Sequence, residues 1–355
     1  MTRSIAPRSL PRPVLWIPLL LFLGMSVGGL YYVKWAPYYA KAFHAAAQHS
    51  IGASTLSGTE AAASPLGLRA GLTYSLAYLK AVWQALLLGL ALAAGVETLL
   101  PRAMLTRIFS GRAASLRAAL LGVPSMMCTC CAAPIAVGLM ECETSPAAAL
   151  IYWLANPVLN PATLVFIGFV LGWQWMALRL VLGVALVFAL GHWAARWVPQ
   201  ASARTLQPQA PAASSPATPE RHFLLAWSAA FLRLAVRLIP EYAVIVFVLG
   251  MLRAWLFPEM TPEIGHAAWL APALAAAGTL FVIPTAGEVP IIQVLQHFGL
   301  GPAGAAALLM TLPSVSLPSL AMLGRAFPWR VVAALGFGTF FFGLLAAGLA
   351  ALLPW

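Results

Sequence analysis

The sequence predicts an all-α polytopic membrane protein with about seven to nine transmembrane segments, at roughly 20 residues per crossing, arranged as two homologous halves with broken or re-entrant helices. Three observations carry this reading. Of 355 residues, 62% are hydrophobic and 8% are charged, against roughly 25% charged in an average soluble domain. Prolines and small polar residues interrupt apolar runs where a spanning helix would continue, as at Met126–Pro134. The spacing of those prolines then recurs in the second part of the chain.

The net charge of +11 comes from 17 Arg and 3 Lys placed mainly in tails, loops and helix ends. That is the distribution of the positive-inside rule, so the charge reads as membrane topology and not as nucleic-acid binding. Residues 1–13 form a basic tail with Arg3, Arg8 and Arg12, expected in the cytoplasm. The apolar run 14–33 follows as a first transmembrane helix, longer than the core of a cleaved signal peptide. Residues 34–73 read as an extracytoplasmic connecting segment, with His44 and His49 five apart and so off the i, i+4 spacing of a helical metal pair.

A first repeat is expected over 74–197. Its opening helix ends at Pro101, and Arg102, Arg107, Arg112 and Arg117 follow with no acid among them, a cytoplasmic anchor suited to anionic lipid. Next comes Met126-Met-Cys-Thr-Cys-Cys-Ala-Ala-Pro134, which holds three of the four cysteines. Irregular backbone at membrane depth is tolerated where it lines a protein-enclosed cavity, so this stretch is the leading candidate site. Asn156-Pro-Val-Leu-Asn-Pro161 is a second break, because its prolines remove backbone donors. Asn156 and Asn160 either repair that break or line the site. A further helix runs from about Trp175 to Ala195, and 198–222 reads as a flexible Pro/Ala/Ser linker.

The second repeat, 223–355, echoes the first. Pro134 and Pro146 are twelve apart, as are Pro290 and Pro302, and Pro157 and Pro313 each follow eleven later. In this register the cysteine stretch faces Pro284-Thr-Ala-Gly-Glu-Val-Pro290, and the Asn-Pro break faces Pro313–Pro318. The arginines follow the first helix of one half but precede that of the other, so equivalent ends prefer opposite sides of the membrane. That is the pattern of an inverted repeat.

Gly122-Val-Pro-Ser-Met-Met-Cys-Thr-Cys-Cys-Ala-Ala-Pro134, Ser145–Leu164 with its Asn-Pro-Val-Leu-Asn-Pro core, and Gly287-Glu-Val-Pro290 resemble the bacterial predicted-permease family that includes the trivalent organoarsenical efflux permeases. The resemblance runs from about Tyr74 to the C-terminus. It implies a multi-pass permease of the bacterial inner membrane, in contact with the lipid bilayer and a small solute or ion, and not an enzyme. By the same resemblance Cys128, Cys130 and Cys131 would hold a trivalent arsenical.

The residues themselves leave alternatives open. Thiols select soft, thiophilic ions, and on a non-helical turn Cys128, Cys130 and Cys131 could converge on one soft metal or metalloid, with Thr129 beside them. Cys and Ala at these positions could equally serve close helix packing or redox chemistry. Glu288 is one of nine glutamates in a chain with no aspartate. An intramembrane carboxylate is costly and marks a proton-coupling or cation site, unless it caps a half-helix or pairs with a cation. Glu97 and Glu241 fit interface positions, and Thr285, Ser314 and Ser316 read as helix repair. No cofactor motif is present, and oligomeric state is not encoded legibly.

Overall fold

The computed structural model describes residues 12–52, 67–142, 144–198, 223–256 and 262–353. The basic tail before residue 12 and the linker residues 199–222 lie outside these. Every regular element among the described residues is helical. Composition requires this, because a backbone in hydrocarbon must satisfy its own polar groups and helices do so within one segment.

The chain opens with α1 (Arg12–Leu30), passes through a π-helical turn (Tyr31–Trp35) and continues as α2 (Ala36–Gln48). The helix expected to end at residue 33 therefore runs on to Gln48, and the expected connecting segment is helical in its first part. The π-turn widens the spiral without breaking it, so the hydropathy drop at Lys34 marks a bulge and not an end. The first half continues with α3 (Leu68–Thr98), α4 (Arg102–Phe109), α5 (Ala114–Gly122), α6 (Thr129–Glu141), α7 (Pro146–Val158), α8 (Pro161–Val170) and α9 (Trp173–Ala195). The second half comprises α10 (Phe223–Leu256), α11 (Pro262–Gly265), α12 (Leu270–Leu280), α13 (Glu288–His297), α14 (Pro302–Thr311), α15 (Leu317–Leu323) and α16 (Trp329–Leu352).

Six helical stretches among the described residues are long and apolar enough to cross a bilayer: Ile17–Gln48, Leu68–Thr98, Pro146–Val170, Trp173–Ala195, Phe223–Leu252 and Trp329–Leu352. Thr129–Glu141, Leu270–Leu280 and Pro302–Thr311 are apolar but shorter. The chain is an all-α polytopic membrane protein, and the expected count of seven to nine is reached only if short helices contribute crossings. Exposed Leu72, Leu76, Trp83 and Leu87 on α3 and Phe337, Phe341 and Leu345 on α16 form outward apolar faces. Helices apolar both inside and outside are what lipid on one side and protein on the other require.

Helix α7 lies at the centre, with Ala148 through Ala155 buried throughout. The element order recurs at a constant distance. Helices α5, α7, α8 and α9 begin at 114, 146, 161 and 173, and α12, α14, α15 and α16 begin 156 residues later, at 270, 302, 317 and 329. The packing pairs recur as well. Helix α5 packs on α7 as α12 packs on α14, and α7 on α9 as α14 on α16. Between the halves α3 packs on α10, α9 on α16, α6 on α15 and α8 on α13. The two non-helical breaks thus meet in the middle of the bundle.

A thiol pair and a buried ion pair at two helix breaks

After α5 the chain makes a 3₁₀ turn (Val123–Ser125), passes Met126 in the left-handed region at φ 50° and enters α6 through Cys128 in extended geometry. Side chains from α7 splint this break. The Asn156 carboxamide accepts from the Met127 N–H at 3.4 Å and donates to the Tyr152 carbonyl at 2.8 Å, while Trp153 Nε1 donates to the Thr129 carbonyl at 2.8 Å. On the far side α3 approaches so closely that a Cβ at Gly89 would sit 2.5 Å from the Cys131 carbonyl oxygen. Glycine permits that contact between backbones.

Cys128, Cys130 and Cys131 are free thiols and almost fully buried. Cys128 and Cys131, three apart around the first turn of α6, place their Sγ atoms 3.1 Å from each other. Cys130 Sγ lies 3.7 Å from Thr129 Oγ1, 3.8 Å from Tyr78 Oη and 3.9 Å from Ser316 Oγ. The closest thiols are therefore a pair, because Cys130 and Cys131 already belong to the regular helix, where i and i+3 share a face. Among the described residues no three His, Cys, Asp or Glu side chains are placed to hold a metal ion. His44 and His49 turn instead to the carbonyls of Ser50 and Phe169.

In the second half α12 ends at Leu280, and Phe281–Gly287 runs without helix until Glu288 opens α13. Ala286 takes φ 66°. The first half braces this break too: Tyr74 Oη donates to the Val282 carbonyl at 2.5 Å, and Tyr78 Oη to the Ile283 carbonyl at 3.4 Å. Thr129 Oγ1 meets Ser316 Oγ at 3.1 Å, so the two halves join directly beside the thiols. Ser314 bonds back to the Met310 carbonyl and Ser316 caps α15 in a box with Ser319, the helix-repair contacts read from sequence; Ser316 also meets Thr129, and Thr285 accepts from Lys34.

A cavity of about 320 Å³ leads from exposed Lys41 and Gln84 inward to half-buried Thr285 and buried Lys34 and Cys128. Beyond it, a void of about 10 Å³ is bounded by Cys128, Thr129, Thr163, Thr285 and Glu288. That is close to the smallest space that admits one water. Glu288 is thus across a water-sized gap from the thiol break. Its carboxylate makes no hydrogen bond among the described residues, and its charged neighbour is Arg179, 3.8 Å away.

Arg179 is fully buried in α9. Its Nε donates to the Val158 carbonyl at 3.0 Å, one terminal nitrogen to the Pro157 carbonyl at 3.0 Å, and the other to the Leu309 carbonyl. These are carbonyls of the broken end of α7 and of α14, which lack their own helical donors or lie beside the opposite break. Asn160 serves the other side of the same break, its Oδ1 accepting from Ala162 N at 3.0 Å and Thr163 N at 3.3 Å. The Asn-Pro break is therefore repaired by one asparagine at the start of α8 and by an arginine from the next helix.

The family described as "Predicted permease" matches residues 69–352 of this chain. The chain belongs to that permease family. It is also 45% identical over 339 residues, 95% of each chain, to "UPF0718 protein YraQ" of Escherichia coli (strain K12). No solved structure matches it.

Within the permease, the structure gathers Cys128, Thr129 and Glu288 around adjoining spaces, with Cys130 and Cys131 packed behind them in α6, while Asn156 and Asn160 hold backbone. Three polar groups beside the breaks escaped the sequence reading. Arg179 is the one arginine in Trp173–Ala195, and a lone charge in a spanning helix was the available signal. Lys34 stands where the apolar run ends and the connecting segment was expected to begin, and drew no reading of its own. Tyr78 carried no signal, because a tyrosine in an apolar helix reads as core. Glu97 and Glu241 form part-exposed ion pairs with Arg233 and Arg325, as their interface positions implied.

Proposed function

We propose that this permease is a secondary transporter of the bacterial inner membrane that exports a soft, thiophilic solute, a trivalent organoarsenical above all. The Cys128–Cys131 pair, of which Cys128 lines the cavity and Cys131 lies directly behind it, supports this reading most directly. A monoorganoarsenical carries two exchangeable hydroxyls, and two thiols displace both: two S–H protons leave with two hydroxides as water, and two As–S bonds form. Two thiols satisfy such a centre, whereas a bare metal ion asks for three or four ligands. In this reading the two halves are inverted copies whose breaks meet near the midplane, and access alternates between them. Glu288, across the water-sized void, is the proton- or cation-coupling group.

A second reading, a thiol–disulfide electron carrier, draws on the Cys-x-x-Cys spacing of Cys128 and Cys131 at a helix start. Against it, the opposite break at residues 281–287 offers no cysteine to relay electrons.

The test is accumulation in everted membrane vesicles across metal ions, inorganic metalloids and trivalent organoarsenicals. The reading predicts permease-dependent accumulation of organoarsenicals. Accumulation of hard ions alone, or of nothing in the set, would overturn it.

A further inference from the structure

We propose that Lys34 forms an anion subsite in the cavity beside Cys128, so that the preferred solute carries a negative charge as well as a soft, thiol-reactive atom. This rests on the reading of Cys128 and Cys131 as the soft-ligand pair and adds the charge of the solute to it. Lys34 belongs to the helix that precedes residues 69–352, so the family match does not include the group that supplies this charge.

The π-turn at Tyr31–Trp35 carries Lys34 in a helix that buries it to 5% exposure. Its Nζ donates to Thr285 Oγ1 at 3.0 Å, which places the ammonium on the second-half break, and it lies 5.5 Å from the Tyr38 ring centroid. An ammonium at this depth is costly without a counter-charge. Among the described residues no carboxylate pairs with it, and its nearest ionisable neighbours are Tyr38, Cys128 and Cys131.

The cavity wall has the same character. Lys34 and Lys41 both line it, and no lining residue is acidic. Thr285 accepts from Lys34 through one lone pair, which leaves its hydroxyl proton to donate, while the Cys128 S–H is directed at Cys131. The polar end of the cavity is therefore a hydroxyl donor beside a buried cation, next to a soft thiol pair. A space of about 320 Å³ falls in the range that small organic ligands fill. A small aromatic or aliphatic arsenical bearing a carboxylate or similar anion would meet Cys128 with its arsenic and Lys34 with its charge.

The test uses the full-length protein in lipid nanodiscs and three probes: phenylarsonous acid, its 4-carboxylate, and benzoate, which carries the charge without the arsenic. The subsite predicts tighter binding of the carboxylated arsenical than of the neutral one. It further predicts that Lys34→Gln weakens the carboxylated arsenical and benzoate by roughly tenfold or more, the worth of a charge-assisted hydrogen bond, and leaves the neutral arsenical within about twofold. Lys34→Arg, which keeps the charge, should preserve the preference and guards against a folding defect. Equal weakening of all three probes in Lys34→Gln, or carboxylate binding indifferent to it, would overturn the subsite. Loss of both arsenicals' binding in the native protein with Lys34-dependent benzoate binding retained would strike the thiol reading alone and leave the anion subsite standing.

Discussion

Arg179 does for the broken end of α7 what water does at a surface, supplying donors to carbonyls of Pro157 and Val158 and adding a bond to Leu309 from the opposite half. Its charge lies beside Glu288. Removing one member of a buried pair leaves the other uncompensated, which costs about 3–5 kcal/mol. Arg179→Met should therefore lower the unfolding free energy of the detergent-solubilised protein by that amount. Arg179→Lys should recover little, because a single ammonium cannot span three carbonyls. Melting behaviour of Arg179→Met indistinguishable from the native protein would show that the carbonyls are served otherwise. For Glu288→Gln we expect loss of pH-driven accumulation with downhill exchange retained, read in vesicles with an imposed pH gradient. Persistence of that accumulation would leave Glu288 only its structural pairing. Glu288 and the thiols were legible in the sequence because polar groups at membrane depth are rare and costly. Lys34 and Arg179 were less so, since each is a single basic residue whose partners lie many positions away.

At the scale of the elements, the prolines marked the neighbourhood of each break and not its place, since Pro134 lies inside α6 and Pro157 inside α7, and repair was one of the two roles open to the asparagines. Which helix would splint each break was not visible, because the bonds from Asn156, Trp153 and Tyr74 depend on packing and not on spacing. The continuation of the first helix to Gln48 was hidden for another reason: a π-turn has no composition of its own. The close seam between α3 and α6 offers a direct check. Gly89→Ala would drive a Cβ into the Cys131 carbonyl, a backbone atom that cannot swing aside as a side chain can. Overpacking of that kind costs about 1–3 kcal/mol, and displacement of Cys131 should slow the reaction of the thiol pair with arsenicals. Gly348→Ala, where nothing lies within 4 Å, serves as the control and should be silent. Equal arsenical reactivity in the two variants would show that the seam does not position the pair.

For the whole molecule, the recurrence of element starts at one interval and the recurrence of packing pairs are what a duplicated unit produces. In the sequence the proline spacing predicts the duplication and only the charge distribution predicts its inversion, since orientation in a membrane leaves its mark on arginines and lysines. Inversion with cytoplasmic placement of the linker predicts that a periplasm-dependent enzyme reporter inserted at Ser214 stays inactive. An active reporter there would place the linker outside and defeat the inverted arrangement. Lys34 adds a feature at this scale, because the leading helix reaches across to Thr285 and so ties the N-terminal segment to the second half. The central claim, that the thiol pair carries a soft solute through the bundle, is tested most directly by counterflow in proteoliposomes containing only the purified permease. The native protein should exchange external labelled phenylarsonous acid for internal unlabelled solute, and the folded Cys128→Ser/Cys131→Ser double variant should not. Counterflow by that double variant at the native rate would contradict the account.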